Sequence, residues 1–172
     1  MKAGEERAIN LCSTCHGPRG ISTSPEFPIL AAQREGYLVS QLEAFRAKTR
    51  EEKIAHDFMF GIAYNLDDAM IKSVALYYST QPPAPGRPGN PALVAKGKEL
   101  FDKGIPARGI PACTSCHGAN AEGIAAFPRL AGLLIEAPDG PALCLAQPRH
   151  EAVEASLPAG NWTKAEDLTG DG

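Results

Sequence analysis

The 172-residue sequence is poor in aromatic side chains, 6% against 44% hydrophobic residues overall, so a core built from side chains alone has little bulk to draw on. A chain of this length makes one ordinary domain or two small ones, and a domain of about 80 residues buries too little apolar surface to be comfortable unaided. A staple or a large apolar group is called for. No run approaches the roughly 18 apolar residues of a membrane span, and Met1-Lys2-Ala3-Gly4-Glu5 lacks the apolar stretch of a signal peptide. Basic residues are not in excess: 17 Lys and Arg stand against 20 Asp and Glu, a formal net charge of −3. That balance argues against a nucleic-acid binder and favours a partner with a basic docking surface. Methionine is scarce as well, with 3 in the chain and none after Met70.

Of the 5 cysteines, four fall into two Cys-x-x-Cys pairs, each followed at once by histidine: Cys12-Ser13-Thr14-Cys15-His16 and Cys113-Thr114-Ser115-Cys116-His117. Cys144 stands alone. Two thiols at this spacing can reach the two vinyl groups of one porphyrin, and the adjoining imidazole can ligate its iron. A zinc ion shared by the two pairs would leave the repeated histidine unexplained, and a redox-active pair wants a strand-to-helix setting that is absent here. The duplicated pentad therefore points to two covalently bound haem c groups, with Cys12, Cys15, His16, Cys113, Cys116 and His117 holding them. Each haem would supply the missing apolar bulk, and its propionates would add acidity. Because such haem is normally attached outside the bacterial cytoplasm, the expected location is the periplasm, with the chain as given a mature form or an N-terminally shortened gene model.

The repeat extends beyond the pentads. Cys12 to Leu30 reads again from Cys113 to Leu130, and Phe27-Pro28-Ile29-Leu30-Ala31 recurs as Phe127-Pro128-Arg129-Leu130-Ala131. Two homologous domains are implied, 1–80 and 92–172. Between them residues 81–91, Gln81-Pro82-Pro83-Ala84-Pro85-Gly86-Arg87-Pro88-Gly89-Asn90-Pro91, are too proline-rich for a helix or central strand and read as a stiff, extended linker. Helical spacing predicts a helix over Ala3 to Leu11, another over Glu35 to Lys48, and a third, capped by Asp67, running to Ser79 with Ile71, Val74, Ala75 and Tyr78 inward. Ala92 to Lys103 repeats the helix ahead of the haem site. No strand ladder is legible, so the expected fold class is all-α.

The order helix, Cys-x-x-Cys-His-Gly, Phe-Pro-x-Leu-Ala, Tyr-Leu-x-x-Gln-Leu-x-x-Phe, Arg, Met, then a Leu-Asp-Asp helix ending in Tyr-Tyr resembles the class I bacterial cytochromes c. The tandem arrangement resembles the two-haem cytochrome c4 family over roughly residues 1 to 132. The resemblance implies that His16 and His117 are proximal iron ligands and that a methionine from a later loop closes each iron's other face. In the first domain that methionine is Met59, in the loop-like stretch His56-Asp57-Phe58-Met59, with Met70 assigned to core packing and His56 a minor rival ligand. Gly17 and Gly118 are expected to permit tight turns or close approach, and Pro28 and Pro128 resemble the family's proline near the proximal imidazole. Tyr37, Phe45 and Tyr78 are assigned to the core before any haem contact, and Arg46 and Arg50 are candidate propionate partners.

After Gly132 the family pattern stops: Leu133-Leu134-Ile135-Glu136-Ala137-Pro138-Asp139-Gly140-Pro141 stands where a Gln, a Tyr-Leu-x-x-Gln-Leu helix and a distal Met are expected. The second domain thus has an atypical or incomplete C-terminal part. For its iron, His150 and a five-coordinate or weakly ligated state are both open. Codons allowed for Pro138 to Leu143, read one nucleotide later, can encode Leu-Thr-Ala-Gln-Leu, so a shifted reading frame from about residue 133 is one explanation. Against a simple shift, Asn161 to Asp167 loosely echoes Asn65 to Ile71. On that explanation Cys144 needs no functional account.

These readings imply a two-haem electron carrier, not an enzyme, taking electrons from a quinol-oxidising complex or dehydrogenase and passing them to a terminal oxidase or reductase. Docking on a membrane complex would need no transmembrane segment. A second reading is an electron-transfer subunit of a flavin- or quinone-dependent dehydrogenase. A third, a peroxidase or gas sensor using the second haem, lacks a visible acid–base cluster after His117.

Overall fold

Gly4 lets two helices cross closely. A Cβ there would lie 2.6 Å from Ser73 Cβ, and instead the Gly4 amide donates to Ser73 Oγ at 3.2 Å. Two small residues let the first helix lie against the last helix of its unit. The structure is a computed structural model that describes residues 2–24, 26–86 and 91–132, together with the strand residues 134–135 and 143–144. The chain falls into two compact units: Met1–Ala84 with Ala125–Pro128, and Pro85–Ile124 with Arg129–Gly172.

In the first unit a helix runs from α1 (Lys2–Arg7) through a π-helical stretch, Ala8–Cys12, into α2 (Ser13–His16). It delivers both cysteines and the histidine of the first pentad on one continuous element. Helices α3 (Glu35–Arg46), α4 (Phe60–Ala63) and α5 (Asp68–Ser79) complete the unit. Asp67 caps α5 by accepting the Met70 amide at 2.7 Å, and the four residues expected to face inward, Ile71, Val74, Ala75 and Tyr78, are all buried. One cluster gathers Ala8, Leu38, Val74, Ala75 and Tyr78; a second gathers Ala63, Leu66 and Ile71. Burying a side chain of this size removes it from water at a gain of ~1.5–3 kcal/mol, which is how an aromatic-poor chain still holds three helices together.

Met70 packs against both clusters, as its assignment to the core requires. The candidate propionate arginines are engaged within the protein. Arg46 donates from Nη1 to Leu66 O at 2.8 Å and from Nη2 to Asp68 at 2.7 Å, tying α3 to the start of α5. Arg50 donates to Gln41 Oε1 at 2.7 Å and pairs with Glu52, whose carboxyl it holds down at about 2.

In the second unit α6 (Pro91–Lys103) begins with proline at its first position, where the missing N–H costs no hydrogen bond. It is followed by α7 (Thr114–His117), which carries the second pentad. The two units repeat their backbone bonding. In the first, Gly20 N reaches Gly17 O at 3.0 Å, and Leu30 N and Ala31 N reach Gly20 O at 2.8 and 3.1 Å. In the second, Ala121 N reaches Gly118 O at 3.0 Å, and Leu130 N and Ala131 N reach Ala121 O at 2.9 and 3.1 Å. The fold is all-α as expected, except that β1 (Leu134–Ile135) pairs antiparallel with β2 (Leu143–Cys144), a short ladder the sequence pattern did not suggest. His150 and the stretch Asn161 to Asp167 lie outside the described residues.

Candidate haem-attachment sites

His16 is 7% exposed, and its Nδ1 lies 2.8 Å from Pro28 O. A carbonyl oxygen only accepts, so Nδ1 carries the proton and Nε2 keeps its lone pair, the form that ligates a metal. The same bond fixes the ring's orientation, as outer-shell partners of metal-binding histidines do. Burial pushes the imidazole's affinity for a second proton down, with the Pro28 bond opposing, which again favours the neutral ligand. The fold builds this partner locally. Gly17 turns the chain at φ +75°, where a Cβ would collide with Ile21 O, and the loop returns so that Leu30 and Ala31 bond to Gly20. Pro28 is thereby brought to the imidazole of the histidine that opens the loop.

Cys12 is half-buried and Cys15 exposed, one helical turn apart. Burial pushes the Cys12 thiol up, with nearby Arg7 and a bond to Tyr78 opposing. The setting of Cys12, half-buried among apolar side chains, lacks the stabilised thiolate that marks a reactive thiol of a redox pair. The donor set therefore fits a haem: two thiols three residues apart, a neutral imidazole next to the second, and apolar side chains beside them. Ile9 and Phe58 keep 52% and 46% of their surface exposed, an apolar surface a porphyrin can cover.

Met59 is half-buried and does not sit in a loop. It ends a π-helical turn, Ala55–Met59, that runs directly into α4. The loop expectation failed because a single wide turn within a short helix leaves no hydrophobic period to read. An aromatic chain links this turn to the proximal side: the His16 and Phe27 rings are 6.2 Å apart, and Phe27 and Phe58 are 5.6 Å apart, both edge-on. Phe58 adjoins Met59, so the turn bearing Met59 lies on the Phe27 side of His16. The ring of the rival His56 lies 4.4 Å from that of Phe60, tilted 48° to it, and is exposed. The roles of Phe27 and Phe58 were not visible in the sequence; the only signal was their presence beside each candidate ligand segment in an otherwise aromatic-poor chain.

The second pentad repeats the first. His117 N bonds to Cys113 O at 2.9 Å, and Gly118 turns at φ +81° where a Cβ would lie 2.6 Å from Glu122 Cδ. Cys113 is exposed, and Cys116 and His117 are half-buried. Phe127 is 49% exposed where Phe27 is half-buried. The two sites share this backbone pattern, and His117 is less buried than His16. Among the described residues no cluster of three or more His, Cys, Asp and Glu side chains could hold a bare metal ion. No described helix is long and apolar enough to cross a membrane.

Comparison with known proteins agrees with this geometry. A family model described as cytochrome c matches residues 94–151. Cytochrome c4 of Thiocapsa roseopersicina is 40% identical over 132 residues, covering 75% of this chain and 66% of that protein. The chain thus spans just under two thirds of the length of that relative. A thiosulfate dehydrogenase electron acceptor of Thiomonas intermedia is 36% identical over 126 residues, 70% of this chain and 56% of that protein. The crystal structure of reduced recombinant cytochrome c4 from Pseudomonas stutzeri superposes with a TM-score of 0.68 at 36% identity, covering 77% of this chain and 72% of that one. With its two Cys-x-x-Cys-His helices, its buried and oriented imidazole and these relatives, the chain belongs to the cytochrome c4 family.

Proposed function

We propose that the chain is a periplasmic two-haem electron carrier, with one haem c bound through Cys12, Cys15 and His16 and a second through Cys113, Cys116 and His117. Its domains on this reading are 1–80 and 92–172, joined by the proline-rich residues 81–91. The observation that carries the proposal is the oriented His16 imidazole: a buried ring with Nδ1 bonded to Pro28 O at 2.8 Å is a ligand already set for its iron. Bound haem would supply a one-electron couple at each iron. The chain's own residues would hold the ligand field fixed through oxidation and reduction. Met59, on the helical turn Ala55–Met59, is the sixth ligand of the first iron on this reading. A thioether is neutral and soft, and a His/Met pair raises the potential relative to two imidazoles.

The partners are redox proteins: a quinol-oxidising complex or dehydrogenase on one side, a terminal oxidase or reductase on the other. The net charge of −3 favours basic docking surfaces on them. A narrower reading, an electron acceptor serving one dehydrogenase, is favoured by the likeness to the Thiomonas intermedia protein. The test is to make the chain in a host that exports it and attaches haem, then count haem by pyridine haemochrome. Two haems per chain are expected, falling to one in Cys12→Ala/Cys15→Ala and to one in Cys113→Ala/Cys116→Ala. A chain that carries zinc, or no haem, sinks the proposal. Faster reduction by a single dehydrogenase than by any quinol-oxidising complex would select the narrower reading.

A further inference from the structure

We infer that Arg50 is a positioning residue for the sixth ligand of the first iron: it clamps the start of the helical segment that carries Met59 onto α3, and so sets how well the thioether resists displacement by another donor. That role rests on the reading of Met59 as the ligand and goes a step beyond it. Groups that hold a ligand in place, without touching the metal, govern how well the metal keeps it. The segment is short. Residues 53–63 are helical and include the π-helical turn Ala55–Met59 and α4. Glu52 is where this helix starts, since its carbonyl accepts the Ala55 and His56 amides at 2.9 and 3.3 Å.

The Arg50 guanidinium grips that starting residue and α3 together. Its Nε lies 3.1 and 3.0 Å from the two Glu52 carboxylate oxygens, and its Nη2 donates to Glu52 Oε1 as well. Its Nη1 donates to Gln41 Oε1 at 2.7 Å, and its Cζ stands 4.7 Å from the centre of the Phe45 ring. Gln41 and Phe45 are one helical turn apart on α3, so a single planar cation meets a carboxylate, an amide oxygen and a ring face. Phe45 packs in turn against the cluster containing Ala63, the last residue of α4. The far end of the segment is fastened separately: Arg46 donates to Leu66 O at 2.8 Å and to Asp68 at 2.7 Å. An isolated exposed ion pair contributes little, and a bidentate arginine pair tied into a network is the exception. Lys53 and Asp57 supply the contrast, an exposed pair lying wholly within the segment.

Imidazole is the probe. The full haem-loaded chain is oxidised and titrated with it while the sulfur-to-iron charge-transfer band, given only by a methionine-ligated iron, is followed. Arg50→Met, which keeps the stem and loses the fork, should give up that band at an imidazole concentration about tenfold lower. Arg50→Lys, a point charge that cannot hold carboxylate and amide together, should fall between it and the unchanged chain. Glu52→Gln, at an exposed position, should shift the titration in the same direction by less. Lys53→Met also removes a positive charge and should leave the titration where it was. Urea unfolding of each variant keeps stability apart from ligand exchange. If Arg50→Met and Glu52→Gln are less stable yet release the band at the original concentration, Arg50 is only a structural tie and the inference is overturned. A change in haem potential with an unmoved titration also overturns it, by making the arginine's charge, and not its grip, the active feature. Should Arg50→Met take up no haem, the titrations of Arg50→Lys and Glu52→Gln decide in the same way. A charge-transfer band that is missing from the unaltered chain, or that survives Met59→Ala, overturns the ligand assignment itself and this inference with it.

Discussion

Gly20 and Ala121 hold the same place in the two units but meet different surroundings. Both accept the paired amides that close the loop after the haem histidine, and both have left-handed backbones, φ +79° and +53°. At Gly20 a Cβ would stand 2.7 Å from Tyr78 Cδ1 and 3.0 Å from Ala31 N, so glycine is required by packing as well as by φ. Ala121 bears the φ strain alone. Gly20→Ala is therefore expected to destabilise the holo-protein by ~1–3 kcal/mol, through overpacking against a buried ring plus backbone strain. Ala121→Gly should be neutral or stabilising by up to ~1 kcal/mol. Urea unfolding followed at the Soret band would measure both, and equal costs at the two positions would contradict this account. The two methionines separate in the same way. Met70→Leu, a volume-conserving change where the side chain packs against Ala63, Leu66 and Ile71, should cost less than ~1.5 kcal/mol and leave the visible spectrum alone. Met59→Ala should lower the potential of one haem and open that iron to carbon monoxide. A spectral change in the Met70 variant and none in the Met59 variant would reverse the assignment.

At the level of elements, α5 shows what a cap contributes. Asp67 satisfies the Met70 amide that the helix itself cannot, so Asp67→Ala is expected to lower stability by ~1 kcal/mol with no change at the haem, checked by thermal unfolding alongside the visible spectrum. Helix α5 was legible because its cap and its inward residues Ile71, Val74, Ala75 and Tyr78 follow one spacing. Helix α3 was legible for the same reason and ends two residues earlier than its pattern, at Arg46, where the chain turns through Lys48 at φ +56°. The π-helical stretches Ala8–Cys12 and Ala55–Met59 were not legible, since a single wide turn leaves no hydrophobic period of its own. The candidate cysteines and histidines could be named from the pentads because the chemistry of haem attachment would fix their spacing. Pro28 came from family resemblance, and its geometry from the structure. The Gly4–Ser73 contact pairs residues 69 positions apart, and a single sequence carries no signal that links them.

Over the whole chain the described core is unevenly shared. Buried hydrophobic side chains run from Ala8 to Ala84 in the first unit, whereas those of the second are Ala121 and Ala131, and α6 buries none. Gly4 of α1 is pressed against Ser73, while Gly97 of α6 has open space where a Cβ would be. Surface pairs such as Lys103 with Glu99 decorate α6 but add little, because exposed ion pairs are screened by water and salt. Local opening follows buried apolar contact, so residues 91–132 should open at a smaller free-energy cost than residues 2–84. Limited proteolysis of the holo-protein is then expected to cut within 91–132 before it cuts within 2–84, leaving a fragment that keeps one haem and the spectrum assigned to Met59. If a bound haem at His117 contributes as much cover as the one at His16, the two regions will be cut at similar rates, and the asymmetry drawn from the described core will not survive in the loaded protein.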